Sequence, residues 1–333
     1  MRTLIIAEAG VNHNGKLDIA RRMVRAAREA GADYVKFQTA VPELVISTFA
    51  PKAEYQKETT GEGESQLEMC RAIHLPLSDY AGLKALCDEE GIGFMSTPFD
   101  LVSIDCLAAL GMDYWKIPSG EITNLPYLRK IASKGGKVIM STGMAEISEV
   151  EDAVRVLEEG GIPRSDISLL HCTTQYPTPM EAVNLRAMDA LRTLRCASVG
   201  YSDHTVGIEV PVAAVALGAA IIEKHFTLDK TMPGPDHRAS LEPSELKAMV
   251  DAIRNIEAAL GDGRKRVADA ERPNIEVARK SIVAARAISK GEVLTEENIC
   301  VKRPGSGISP MEWDRVVGLR AVRDFVADEL IEI

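Results

Sequence analysis

Short apolar runs alternate with amphipathic helical stretches from the first residues to about residue 260, and this alternation leaves few folds open. Eight runs have the length and composition of strands: Leu4–Ala9, Tyr34–Thr39, Gly93–Thr97, Tyr114–Pro118, Lys137–Thr142, Ile167–Thr173, Ala197–Ser202 and Ala219–His225. Helical segments such as Asp79–Glu90 and Val150–Glu159 lie between most of them. After the first run, Ile19, Met23, Ala26 and Ala30 recur at three- and four-residue steps, and Gly31 stands where a left-handed C-cap is needed. Eight strand–helix units over about 250 residues predict an α/β chain folded as a (β/α)8 TIM barrel. A doubly wound open sheet is the weaker alternative, because no GxGxxG turn follows any strand.

The character changes after the barrel. Gly261-Asp262-Gly263-Arg264-Lys265-Arg266 is polar, and Arg272-Pro273-Asn274 interrupts any helix. The expected division is a catalytic barrel over residues 1–262, a linker over 263–280 and a small β-rich module over 281–333, with β-like Ser281–Ala285 and turns at Ser289-Lys290-Gly291 and Pro304-Gly305. Composition narrows the function. A formal charge of -10 argues against a nucleic-acid partner, which needs clustered positive charge. No apolar run approaches the roughly 20 residues of a membrane span. The start, Met1 to Glu8, has only a short apolar stretch broken by a carboxylate, so a cytoplasmic enzyme is expected. Cys70, Cys87, Cys106, Cys172, Cys196 and Cys300 form no CxxC pair and read as reduced core residues.

In a barrel, alternate strand residues point inward and chemistry sits at the C-terminal strand ends. Polar groups collect there in every candidate strand: Glu8; Lys36 and Gln38; Ser96 and Thr97; Lys116, then Ser119-Gly120-Glu121; Ser141 and Thr142; His171 and Thr173, then Gln175-Tyr176; Ser202-Asp203-His204; Glu223 and His225. A single serine at such a place is ordinarily a helix cap and a single histidine a structural residue. Eight polar strand ends, with two lysines inside apolar runs, are not explained that way. Buried lysines need partners, and a bound anion is the natural one, so a cradle for phosphate and carboxylate is expected. His204 and His225 close adjacent strands with matching inward parity. Two imidazoles suit Mn, Zn or Fe, and open positions beside them suit a Lewis-acid Mn2+ or Mg2+ rather than a closed structural zinc.

The segments Glu8-Ala9-Gly10-Val11-Asn12-His13-Asn14-Gly15, Val35-Lys36-Phe37-Gln38-Thr39, Ser96-Thr97-Pro98-Phe99-Asp100, Lys116-Ile117-Pro118-Ser119-Gly120-Glu121, Tyr201-Ser202-Asp203-His204-Thr205 and Glu223-Lys224-His225-Phe226-Thr227 resemble the bacterial sialic acid (N-acetylneuraminate) synthase family, which includes legionaminic acid synthases. Gly234-Pro235-Asp236-His237 fits as well, and Lys302 to Pro310 resembles the antifreeze-like SAF domain of those enzymes. The resemblance implies condensation of phosphoenolpyruvate with an N-acetylated amino-sugar aldehyde to a nine-carbon 2-keto acid and phosphate. It implies that Lys36, Thr97, Lys116, Ser119, Ser141 and Ser202 hold phosphoenolpyruvate, and that His204 and His225 hold Mn2+ or Mg2+. It places Gln38, Tyr176 and Asp236 on the sugar. It further implies a homodimer in which the SAF domain of one subunit caps the partner's barrel, with Arg303 reaching the sugar across the interface.

The resemblance implies a mechanism, compatible with the anion cradle and the open metal site, in which a bound metal would polarise the aldehyde, phosphoenolpyruvate C3 would attack it, water would add at C2 and phosphate would leave with C–O cleavage. Glu8 and Glu121 are the candidates to position or deprotonate water. The loop Ala50 to Gln56, continuing to Glu64-Ser65-Gln66-Leu67-Glu68, resembles both sialic and legionaminic types and looks less like the pseudaminic type. Two other functions compete: a metal-dependent barrel hydrolase, which would add carboxylates to the metal, and ice binding by the tail. Charged Lys302 and Arg303 do not make a flat, weakly polar ice-binding face.

Overall fold

The computed structural model describes residues 2–53, 56–57, 63 and 65–333. Its two compact units are Met1–Gly261 and Asp262–Ile333.

The first unit carries eight parallel strands: β1 (Leu4–Gly10), β2 (Tyr34–Thr39), β3 (Gly93–Pro98), β4 (Tyr114–Ile117), β5 (Lys137–Ser141), β6 (Ile167–Cys172), β7 (Ser198–Asp203) and β8 (Ile221–His225). They run in the order β3-β2-β1-β8-β7-β6-β5-β4, and β3 comes to lie beside β4, so the sheet curls into a nearly closed TIM-type barrel. The expected strands are those observed, with ends shifted by a residue or two. Helices cover the outside: α1 (Leu17–Ala30), α2 (Gln66–Ile73), α3 (Tyr80–Glu90), α4 (Leu101–Ala108), α5 (Leu125–Lys134), α6 (Ile147–Glu159), α7 (Ala187–Arg192), α8 (Glu209–Ala216) and α9 (Pro243–Leu260). The α1 helix shows why. Ile19, Ala20, Met23, Val24, Ala27 and Ala30 form one buried stripe, and Gly31 ends the helix at φ 87°, donating to the Ala27 and Arg28 carbonyls.

Strand alternation sorts the side chains into two layers. One set, including Val35, Phe37, Val138, Met140 and Ile222, packs outward against the helices. The inward set forms a separate cluster of Ile6, Met95, Ile139, Leu170 and Ile221, with Leu4, Tyr34 and Tyr114 against it. This apolar plug fills the barrel floor. One inward step further along each strand stand Glu8, Lys36, Thr97, Lys116, Ser141, Cys172, Ser202 and Glu223, all buried. The floor therefore excludes water beneath a polar layer that opens only toward the C-terminal mouth.

The second unit has a two-stranded antiparallel sheet, β9 (Ser281–Ala284) with β10 (Ile299–Lys302), around a core of Ile282, Leu294, Ile299, Val316, Phe325 and Ile331. The segment expected as a plain linker holds the helix α10 (Arg272–Ala278). Pro273 sits in its first turn, where the missing N–H costs nothing, so the proline starts a helix instead of breaking one. Gly305 N–H donates to the Glu276 carbonyl, tying α10 to the module beside it. Among the described residues all six cysteines are free thiols.

Candidate active site

The polar layer lines a cavity of about 360 Å³ at the C-terminal mouth of the barrel. Lys36 donates to Thr97 Oγ1 at 2.8 Å and pairs with Glu8 Oε2 at 2.7 Å. Lys116 donates to Ser141 Oγ at 2.6 Å. Glu223 lies between the lysines, with Oε1 3.5 Å from Lys116 Nζ and Oε2 3.8 Å from Lys36 Nζ, and its Oε1 accepts from Ser202 Oγ at 3.0 Å. The partner expected for the buried lysines is a bound anion; the structure adds two buried glutamates that pair with them. Register explains the meeting. Glu8 pairs with Lys36 on one side and His225 on the other, and Ser202 pairs with Glu223. Each ammonium has three N–H groups, so the pair retains donors for an anion entering from the mouth.

The two glutamates differ in proton affinity. Burial pushes the Glu8 carboxyl above the usual range, partly offset by Lys36, and the negative Glu223 adds to the rise. Burial acts upward on Glu223 too, but Lys116 and Lys36 outweigh it and hold that carboxyl below the usual range. Glu223 is therefore the fixed anion of the cluster, and Glu8 is the group suited to exchange a proton. Burial also lowers Lys116.

Beyond the lysines, His204 and His225 line the same cavity with ring centroids 5.4 Å apart. His204 Nδ1 donates to the Thr173 carbonyl at 2.6 Å, which leaves the Nε2 lone pair available. Burial depresses His204 to about 4 and takes His225 well below its ordinary value, so both rings are neutral. His225 Nδ1 is buried without a hydrogen-bond partner among the described residues. Two neutral, converging imidazoles fit a divalent cation. Among the described residues no third histidine, cysteine or carboxylate joins them in a cluster, so protein ligands alone do not fill a coordination shell. Directly behind them, Lys224 is fully buried, pairs with Asp203 at 2.5 Å and also donates to the Thr205 carbonyl.

Tyr176 lies over His204 at 4.1 Å between centroids and edge-on to His225 at 5.7 Å. Asp236 borders a second cavity of about 230 Å³ together with Gln38, Tyr176 and His225. Burial alone raises Asp236 to about 6. Gln38 Nε2 donates to Glu8 Oε1 at 3.2 Å, joining the two cavities.

Most residues singled out in the sequence come together: Glu8, Lys36, Gln38, Thr97, Lys116, Ser119, Ser141, Tyr176, Ser202, His204 and His225 all line the main cavity. Glu121 does not; it accepts from Asn124 at 2.5 Å beside the helix that follows β4. Arg303 belongs to the second unit, where it is exposed and donates to the Ala278 carbonyl at 3.2 Å. On β6 the parity is the reverse of that expected. His171 turns away and its Nε2 meets the Val183 carbonyl at 2.8 Å, while Cys172 enters the cavity, 3.2 Å from Ser119 Oγ. Cys172 pairs in register with Ser202, and registered neighbours share a face. Gly143 is required nearby, because a Cβ there would stand 2.6 Å from Thr174 and 2.9 Å from Cys172. The part of the 50–68 loop at Glu54, Tyr55 and Glu64 lies outside the described residues.

Several motif residues serve the scaffold. Asn12 donates to the Phe226 carbonyl and to Ser240, and His237 bridges Thr227 and Asn14. These contacts latch the loop after β1 to the loop after β8.

A barrel with a charged, dry cradle and paired imidazoles at its mouth defines an enzyme. The chain belongs to the NeuB family, whose profile matches residues 23–265, and a SAF domain matches residues 279–332. It is 52% identical over 330 residues to the N,N'-diacetyllegionaminic acid synthase of Campylobacter jejuni, covering 99% of each chain. Identity to the human N-acetylneuraminate-9-phosphate synthase is 36% over 335 residues, covering 98% and 92%. The crystal structure of an N-acetylneuraminic acid synthetase from Leptospira borgpetersenii superposes with a TM-score of 0.71 at 36% identity, over 83% of this chain and 91% of that one.

Proposed function

We propose that this enzyme condenses phosphoenolpyruvate with an N-acetylated amino-sugar aldehyde, and that the sugar is 2,4-diacetamido-2,4,6-trideoxymannose, giving N,N'-diacetyllegionaminate and phosphate. The observation that carries the reaction is the placement of two buried ammonium groups and a neutral histidine pair on one cavity. The 52% identity to a legionaminic acid synthase supports the choice of sugar.

Lys36 with Thr97, and Lys116 with Ser141 and Ser119, hold the phosphate and carboxylate of phosphoenolpyruvate. Their charges act strongly because the barrel floor excludes water. His204 and His225 hold Mn2+ or Mg2+, which when bound supplies Lewis-acid polarisation of the aldehyde. Tyr176, Gln38 and Asp236 orient the sugar so that C1 faces phosphoenolpyruvate C3. A C3–C1 bond forms, water adds at C2, and the C2–O bond to phosphate breaks. Of the two water protons, one ends on the new C4 hydroxyl of the product and the other on phosphate. Glu8, facing the cavity and retaining a proton more readily than an ordinary carboxyl, relays them; Glu121 does not face it.

The protein works as a homodimer in the cytoplasm, the SAF unit of each copy covering the other's barrel mouth and bringing Arg303 to the sugar. The mouth supports this: Phe49, Met144, Met180 and Val206, on loops that follow four different strands, are 93%, 74%, 54% and 57% exposed.

Phosphate release from phosphoenolpyruvate, measured with and without Mn2+ and with each sugar in turn, tests the reaction. The expected result is release only with both. Release that needs neither, or none with any hexosamine, rejects it. His204→Ala and His225→Ala should each abolish Mn2+ binding by calorimetry while the circular dichroism spectrum is kept; undiminished binding rejects the metal assignment.

A further inference from the structure

Three cavities adjoin one another at the barrel mouth. The main cavity shares Gln38, Tyr176 and His225 with the one bordered by Asp236, and a third, of about 180 Å³, shares Gln38, Cys70, His74 and Phe99 with that one and Gln38, Gln66 and Phe99 with the main cavity. The third is apolar in character. Ala40, Pro42, Val45 and Ile46, from the segment after β2, and Phe99, from the loop after β3, supply most of its wall. Its polar lining groups include the amides of Gln38 and Gln66 and the imidazole of His74, at the C-terminal end of α2. His74 Nδ1 meets the Cys70 carbonyl at 2.9 Å, an acceptor, so Nδ1 carries the proton and Nε2 presents a lone pair. Burial lowers this imidazole below its ordinary range, which keeps the lone pair free at neutral pH.

This inference rests on the proposed reaction. If phosphoenolpyruvate occupies the lysine cradle and the aldehyde carbon stands at the histidine pair, the rest of the sugar runs past Asp236, and its far carbons arrive at the apolar recess. We infer that the recess walled by Ala40, Pro42, Val45, Ile46 and Phe99, with His74 at its edge, is the specificity subsite for carbons 4 to 6 and selects a methyl-bearing substituent there. Two sources of that methyl exist: a 4-acetamido group, whose N–H is also matched by His74 Nε2, and a 6-deoxy terminus. A sugar with hydroxyls at both positions buries polar groups against a wall that is mainly carbon, with the Gln38 and Gln66 amides and His74 as its polar groups among the described residues. A missing methyl in such a pocket costs roughly 10- to 200-fold in kcat/KM.

The test uses full-length enzyme, Mn2+, phosphoenolpyruvate and four sugars: N-acetylmannosamine, its 6-deoxy derivative, its 4-acetamido-4-deoxy derivative and the 2,4-diacetamido-2,4,6-trideoxy sugar. The expected order places the last first and N-acetylmannosamine last, separated at least about tenfold in kcat/KM. The two intermediate sugars report which methyl carries the discrimination. Val45→Asn, at a position 38% exposed and so tolerant of a polar group, should compress the range, mainly through KM. Equal kcat/KM for all four sugars, or a preference for N-acetylmannosamine, overturns the subsite while leaving the reaction standing. No turnover with any of the four overturns the reaction as well. A full range retained in Val45→Asn overturns the assigned wall.

Discussion

Glu223 and the incoming phosphate compete for the same two ammonium groups, and Glu223→Gln exposes that competition. At an effective dielectric of about 20, a unit charge at the 3.5 and 3.8 Å observed here interacts with each lysine by roughly 4–5 kcal/mol. The amide is near-isosteric and still accepts from Ser202, so hydrogen bonds are kept and the charge is lost. Much of the lost attraction is offset because an amide is cheaper to bury than a carboxylate. Uncompensated lysine charge remains, and breaking a buried pair from one side costs about 3–5 kcal/mol. For a unit of this size that is a melting-point drop of roughly 6–20 °C. An anion should repair the damage. Inorganic phosphate, titrated by thermal shift and calorimetry, should bind the variant at least about tenfold more tightly than the parent, a gain of about 1.4 kcal/mol. It should also restore part of the lost stability, while turnover falls because the cradle no longer has a fixed centre. Phosphate affinity that is unchanged or weaker in Glu223→Gln would refute the reasoning, since the carboxylate would then not be competing for the lysines.

The remaining expectations concern buried charge. Asp236 is raised from 3.8 to about 6, so between those pH values the folded chain holds a proton that the unfolded chain has released, and stability falls as pH rises through that window. Asp236→Asn should therefore match the parent in urea unfolding near pH 4 and exceed it by up to about 3 kcal/mol at pH 8; a difference independent of pH would count against the assignment. Lys224→Met strands Asp203 in a fully buried place and should cost about 3–5 kcal/mol, with Asp203→Asn in the same chain recovering part of it. Additive losses in that double-mutant cycle would show that the two groups are not coupled.

Period and punctuation in the sequence were enough for the barrel. The α1 stripe from Ile19 to Ala30, its Gly31 stop and the spacing of eight apolar runs each follow from local rules that tertiary packing did not override. Strand-end parity was enough to bring Lys36, Lys116, His204 and His225 to one cavity. Parity failed on β6, where apolar Leu170 faces the barrel floor and carries Cys172 inward with it. A strand buried on both faces has no polar–apolar contrast to read, and only register with β7 decides its phase. Pro273 misled for a related reason: a proline both breaks and begins helices, and the neighbours decide which.

What the sequence determined by itself was which residue types stand at the strand ends, because alternation and helix period are properties of consecutive residues. What only the tertiary structure decided was who meets whom. Glu223 takes the place between two lysines from strands β2 and β4, 187 and 107 residues away in the chain, because barrel closure sets them on facing walls. Glu8 and Glu223 share the same dry layer, yet one is held ionised and the other inclined to keep its proton. Glu121, one turn beyond the same strand as Lys116, is left outside. Those distinctions rest on a few ångströms of position, and charge interactions in a water-poor site are steep in distance.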